Sequence, residues 1–243
     1  MDIVEPKDPD AIAFRMALRA RILDAARRIV TRDGLHALSM RKLAEAIGYS
    51  PASLYLHFDS RDEIARALGR ESFAQLLAHL EPCAQIGDPW ERLHALAHAY
   101  VAFGRAHQEA YRLMFMEPRE GGRFGMHVTG RAATRPARDP PAIAESGDAL
   151  PCEDAARVAD LFADALEALV TAGHLHSGAQ GEPALLARAL WAMLHGVVVF
   201  SLIGPGFAHE AALAPIVDAG LGGWLGSPPP PAGAVEKTRN GPS

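Results

Sequence analysis

Apolar positions recur with a helical period along most of the chain. Over residues 14–31, Leu18, Ile22, Ala25, Ala26, Ile29 and Val30 make one stripe, and Gly34 follows as a stop. Residues 39–47 repeat the pattern in a shorter form: Ser39 is a good N-cap, and Met40, Leu43, Ala44 and Ile47 share a face. Gly48 then supplies the positive φ that a sharp turn after a helix needs. Ser50 and Pro51 restart the chain, Ser50 as a cap and Pro51 at the first helical position, where its missing N–H has no use. Leu54 and Phe58, four apart, turn inward from this second short helix.

Ser60-x-x-Glu63 reads as a capping box, so a long helix starts at Arg61, runs to about residue 80 and stops at Pro82. Asp88-Pro89-Trp90-Glu91 is a second strong start, for a helix carrying Trp90, Leu93, Leu96, Ala97, Tyr100, Val101 and Phe103. A short aromatic helix is expected over 107–116, then a Gly/Pro-rich loop over 117–151 with one loose helix near 123–133. Periodicity returns over 152–172, where Val158, Leu161, Phe162, Ala165, Leu166 and Leu169 repeat and Gly173 ends the run. The next helix, 183–203, is apolar almost all round, and Ala189, Ala192 and Gly196 form a small-residue stripe that admits a second helix closely. A last helix is expected over 208–225, a disordered arm over 1–13 and a disordered Pro-rich tail over 227–243. With no convincing strand, the fold class is all-α.

The spacing of Ala44, Gly48 and Leu54 suits a helix-turn-helix, because Ala44 and Leu54 must touch where two short helices cross. The plain alternative is a helical hairpin inside a bundle. The order of residues favours the former: RARILDAARRIVTRDG, LSMRKLAEAIGYSPASLYLHF and SRDEIARAL together resemble the DNA-binding domain of the tetracycline-repressor (TetR) family of bacterial regulators. Further on, YRLMF and ALWAMLHGVVVF resemble the C-terminal half of a TetR subgroup marked by Trp, His and Gly, here Trp191, His195 and Gly196. The resemblance implies that Ser39, Tyr55, His57 and Arg61 hold phosphates while Ala52 and Ser53 face base edges; Arg41 and Ser50 complete the DNA-binding set. Leu56 stands where many relatives carry a polar or basic residue, and no contact is assigned to it.

The implied organisation is a three-helix DNA-binding domain with a helix-turn-helix (14–60), a connector helix (61–82), and a helical ligand-binding and dimerisation domain (83–226). In the latter, the helices over 152–172 and 183–203 would pair with their copies in a homodimer. A helix apolar on every side in a chain of 243 residues needs a second partner surface in any case. Two reading heads on a two-fold axis call for a pseudo-palindromic double-stranded DNA operator.

Charge refines this picture. The formal net charge is −5, yet residues 11–61 hold nine basic side chains against four acidic ones, a local +5 that leaves −10 for the rest. That polarity suits a protein presenting one end to phosphates. No uninterrupted apolar run reaches the roughly 18 residues of a membrane span, and residues 1–12 lack an apolar signal core, so a cytoplasmic protein without membrane association is expected. Cys83 and Cys152 match no zinc or redox spacing.

Candidate chemistry is sparse. Tyr100, Phe103, Phe115, Phe162 and Trp191, with His195 as a polar end group, are the candidate lining of an effector cavity, against the plain reading that they fill the core. They point to an apolar or aromatic small-molecule effector. His94 and His98 lie four apart and Glu91 precedes His94 as E-x-x-H, but a di-metal carboxylate bundle needs two such motifs and two further glutamates. They read as structural or solvent-facing histidines; no metal, cofactor or catalytic set is assigned. The expectation is an effector-released repressor, against two alternatives: a metal-dependent helical-bundle enzyme, and a small-ligand carrier without DNA binding.

Overall fold

The computed structural model describes residues 9–115, 152–174, 183–203 and 210–225. Among these the chain is helical, as its periodicity predicts: α1 (Pro9–Asp33), α2 (Met40–Ile47), α3 (Pro51–Tyr55), α4 (Arg61–Ala84), α5 (Pro89–Ala106), α6 (Gln108–Phe115), α7 (Glu153–Thr171), α8 (Pro183–Ile203) and α9 (Glu210–Leu225). A 3-10 turn, Leu35–Ala37, joins α1 to α2. The expected loop over 117–151 with its loose helix, the tail over 227–243 and residues 1–8 of the arm lie outside the described residues.

Two boundaries differ from the sequence pattern. α1 begins at Pro9 rather than near residue 14, with Pro at the first position and Asp10 in the first turn, both good helix openers. Ile12, Phe14 and Met16 are exposed there, so no apolar stripe announces this extra turn. α4 runs through Pro82 to Ala84. In the last turn a proline removes one donor only, its fixed φ is helical, and the Pro82 carbonyl still accepts from the Gln85 N–H at 3.3 Å.

The described residues fall into two compact units, 9–79 with 102–115 and 152–159, and 80–101 with 160–174, 183–203 and 210–225. In the first, Ile22, Ala25, Ala26 and Ile29 of α1 are buried with Leu43, Ala44 and Ile47 of α2, Leu54 of α3, Phe58, and Ile64 and Leu68 of α4. Leu113 of α6 joins the same core. α1 packs on α2, and α2 on α3, which completes the expected three-helix head. In the second unit, Leu96 and Tyr100 of α5, Leu166 and Leu169 of α7, Leu190, Leu194 and Val198 of α8, and Leu213, Val217 and Leu221 of α9 are all buried.

α8 packs on α9. At Gly220 an added Cβ would run into the Met193 side chain, while at Gly196 it would meet nothing within 4 Å. Leu185–Ile203 is long and apolar enough to cross a membrane by length and composition, with a mean hydropathy of 1.8 and 28% of the stretch buried within the chain.

The head turns on its caps. The Ser39 hydroxyl accepts from the Lys42 N–H at 3.2 Å to open α2. Gly48 closes α2 at φ 73°, and the Tyr49 N–H reaches the Ala44 carbonyl at 3.0 Å. Ser50 opens α3 by accepting from the Ser53 N–H at 3.2 Å. α4 opens on Ser60, whose hydroxyl accepts from the Glu63 N–H at 3.1 Å, while Glu63 accepts from the Asp59 N–H rather than that of Ser60.

Because a Cβ at Gly48 would meet nothing within 4 Å, its requirement is conformational and not steric. Gly48→Ala should therefore destabilise the head by about 1–2 kcal/mol, and Gly48→Asn by less, since asparagine tolerates the left-handed region. Thermal unfolding of both variants checks this order.

Candidate DNA interface and sensor residues

The short α3 carries the proposed reading surface. Leu54 is fully buried and holds the helix on the core, leaving Pro51, Ala52, Tyr55 and Leu56 exposed and Ser53 and His57 half-buried. Small side chains at Ala52 and Ser53 allow a helix to come close to base edges. Tyr55 is 53% exposed. Ser50 has a structural duty as well: besides capping α3, its hydroxyl lies 2.9 Å from that of Ser53. Ser39 likewise caps α2, so its side-chain oxygen is committed as an acceptor while its hydroxyl proton remains a donor.

The cationic side chains around this surface divide by their partners. Arg41 pairs with Glu45 at 3.3 Å, Lys42 with Asp33 at 2.7 Å, and Arg28 with Asp24. Arg32 also binds Asp33, and the hydrogen bonds from Arg32 and Lys42 hold that carboxyl well below the usual carboxylate range. Arg15, Arg19 and Arg61 are exposed and make no carboxylate ion pair among the described residues. The Arg19 guanidinium stacks over the Phe58 ring at 4.7 Å, which fixes its stem beside the end of α3.

Arg15 and Arg19 escape a motif-based reading because they sit on the first helix, where their position relative to α3 depends on the tertiary crossing. Partial burial, with the positive charge of Arg15 and Arg19, pushes the His57 imidazole below its ordinary value. His57 thus marks where α1 cations and the end of α3 meet, and it is neutral at neutral pH.

The sensor candidates separate into groups. Tyr100 and Phe162 meet edge to face with ring centroids 6.1 Å apart, and Trp191 stacks on His195 at 4.8 Å and 17°, both in the second unit. Burial alone lowers the His195 pKa, so its ring is neutral. Phe103 and Phe115 belong to the first unit instead: Phe103 lies against His79 and His107, and Phe115 against Phe73 and Tyr111. The candidates thus fall in both units, Phe103 and Phe115 in the first and Tyr100, Phe162, Trp191 and His195 in the second. A cleft of about 390 Å³ occurs within the first unit, lined by Arg27 and Thr31 of α1, Glu71 and Gln75 of α4, and the α5–α6 turn at Arg105 and His107. Its lining mixes charged and apolar groups from three separate segments, and no sequence motif links them.

Comparison with known proteins bears on this geometry. The profile described as bacterial regulatory proteins of the tetR family matches residues 22–68, which contain α2 and α3. The profile described as the tetracyclin repressor-like C-terminal domain matches residues 93–223. HTH-type transcriptional regulator UidR of Escherichia coli (strain K12) is 33% identical over 76 residues, covering 31% of this chain and 36% of that protein. The HTH-type nicotine-responsive transcriptional repressor HdnoR of Paenarthrobacter nicotinovorans is 31% identical over 80 residues, 33% of this chain and 40% of that one. The matches thus span about two fifths or less of these curated relatives.

The solved structure of a protein of unknown function from Rhodococcus sp. RHA1 is 25% identical, with a TM-score of 0.57 over 84% of this chain and 91% of that one. With the head and the greater part of the C-terminal region each matched by its own profile, the chain belongs to the tetR family of bacterial regulatory proteins.

Proposed function

We propose that the protein is a DNA-binding transcriptional repressor that grips a pseudo-palindromic operator as a homodimer and is released by a small apolar or aromatic effector. The observation that carries the reading is the cap, turn and cap from Ser39 through Gly48 to Ser50, which seats Leu54 in the core and leaves Ala52, Ser53 and Tyr55 outward. Residues 14–60 act as the reading head, 61–82 as the connector and 83–226 as the sensing and dimerisation part. Ala52 and Ser53 lie against base edges, and Ser39, Arg41, Ser50, Tyr55, His57 and Arg61 hold the flanking backbone, joined by Arg15 and Arg19. Two heads on a two-fold axis read half-sites about 34–36 Å apart, or a multiple of that distance. The helical-bundle enzyme and the DNA-free carrier lose support from the family assignment.

The effector acts by linkage. A coupling of about 1–3 kcal/mol changes operator affinity roughly 5–150-fold, and the ligand must prefer one state by that amount. Tyr100 with Phe162, and Trp191 with neutral His195, offer aromatic faces and one hydrogen-bonding ring to such a molecule. The nicotine response named for one relative supports a small organic effector. The dimer reading rests on α8. Leu185 and Ile203 are 59% and 63% exposed, Val170 of α7 is 40% exposed, and the Ala189, Ala192 and Gly196 stripe has room beside it. A second copy of α7 and α8 would cover this apolar length, which accounts for its membrane-like hydropathy without a bilayer.

DNase footprinting on the upstream promoter tests the assignment. Tyr55→Phe should weaken operator binding several-fold, Arg61→Ala should also make the salt slope shallower by about 1, and Ala52→Glu should erase the footprint. An unchanged footprint with Ala52→Glu means that α3 is not the reading helix.

Operator binding should also depend on His57. Phosphate offsets the field of Arg15 and Arg19, so the imidazole pKa is higher in the complex than in the free protein. A proton is then taken up on binding, and affinity rises as pH falls from 8 to 6 through the ordinary histidine range near 6.5. Fluorescence anisotropy titrations across that window should show the slope, and His57→Gln should flatten it.

Gly196 gives a test of the dimer. An added Cβ there meets nothing within 4 Å among the described residues, so Gly196→Leu should leave thermal stability of the fold nearly intact while weakening self-association by tenfold or more in sedimentation equilibrium.

A further inference from the structure

Apart from the DNA-facing and aromatic residues, one cluster of ligand-type side chains stands out in the second unit. Along α5 the buried stripe is Leu93, Leu96, Ala97, Tyr100 and Val101, so His94 and His98, one turn apart, flank it on the same edge. Along α9 the buried positions are Leu213, Val217 and Leu221, which puts Asp218 just beside the buried row. The fold brings these edges together across more than a hundred residues of chain. The Nε2 atoms of His94 and His98 lie 2.8 and 2.7 Å from the same Asp218 Oδ1, and the three donor atoms all fall within 4.8 Å of one another. The imidazole rings sit 4.3 Å apart, and Trp90 stacks on His94 at 5.0 Å and 18°, which holds that ring in its orientation.

We propose that His94, His98 and Asp218 form a binding site for one divalent first-row transition metal ion of the zinc type, with a coordination position left open. Two imidazole nitrogens and one carboxylate oxygen are a donor set suited to zinc and its neighbours, and poorly suited to calcium or magnesium, which take oxygen ligands. Metal–nitrogen and metal–oxygen bonds of roughly 2.0–2.2 Å in a tetrahedron separate ligand atoms by about 3.3 Å. The present 2.7 and 2.8 Å spacings therefore need to widen by roughly half an ångström. The side chains can make that adjustment, being 33%, 29% and 50% exposed. Each imidazole would coordinate through the Nε2 lone pair, with its ring proton on Nδ1.

Three protein ligands leave a fourth position for water or an anionic group of a small ligand, as in open zinc sites. The ion also ties α5 to α9 inside the part of the chain assigned to sensing. The site stands on its own geometry and holds whether or not the DNA reading does.

The test uses the full-length protein, treated with chelator and dialysed, then titrated with Co²⁺ and Zn²⁺. One equivalent per chain should bind, giving the visible absorption of four- or five-coordinate Co²⁺, and Zn²⁺ should bleach it. His98→Ala and Asp218→Asn should each lower the affinity at least tenfold while circular dichroism keeps the wild-type helix content, and His174→Ala should bind as wild type. Co²⁺ spectra that stay six-coordinate, titrations without a stoichiometric break, or affinities unchanged in both the His98 and Asp218 variants would overturn the site and leave only a hydrogen-bonded His–Asp–His group. Thermal shift with Zn²⁺ gives a readout free of spectroscopy: a rise in Tm in the wild type and in Asp218→Asn alike counts against the proposal.

Discussion

The left-handed turn at Gly48 is the constraint on which the reading head depends. Within three residues the chain must end α2, reverse direction and open α3, and each of those steps leaves backbone groups in need of partners. Gly48 adopts φ 73° and allows its own N–H and that of Tyr49 to fold back on α2, after which Ser50 satisfies the first turn of α3. The five residues of α3 are far too few to persist as an isolated helix. Leu54 and Phe58, buried in the core, supply what helix propensity cannot, so the exposed face of α3 is defined by which residues the core takes inward.

Local signals explain which parts of the fold were legible from the residues. Caps, glycine stops and apolar stripes are properties of a few neighbouring side chains, and at Ser39, Gly48, Ser50, Asp88 and Gly173 the structure places them as their chemistry dictates. Where such signals are weak, the boundary moves. α1 gains a turn at Pro9 whose apolar residues face solvent, and α4 passes Pro82 because a proline near a C-terminus breaks one bond that the end of a helix can lose.

Tertiary placement was less legible. Helical periodicity shows that Phe103 is buried, but not which neighbours it or Phe115 meets; Phe103 lies against His79 and His107, and Phe115 against Phe73 and Tyr111, all in the first unit. The same limit hid Arg15 and Arg19, which reach His57 only through the crossing of α1 with the end of α3. It also hid Asp218, whose partnership with His94 and His98 spans 124 and 120 positions. Pairwise spacing can nominate two histidines on one helix edge, yet the third member of the group comes from a helix whose register is set by Leu213, Val217 and Leu221.

α8 brings these threads together, because its composition alone admits two opposite readings. Nineteen residues with a mean hydropathy of 1.8 would satisfy a bilayer, and so would a helix sandwiched between protein surfaces. One side of α8 is already taken by protein: Leu190, Leu194 and Val198 are buried within the chain. On the side left open, the small residues Ala189, Ala192 and Gly196 make a shallow track, a shape that lets a second backbone come close. In water, burying this track against a second protein surface gains from the hydrophobic effect. The distribution along α8 therefore suits a helix that meets another protein surface along its open side.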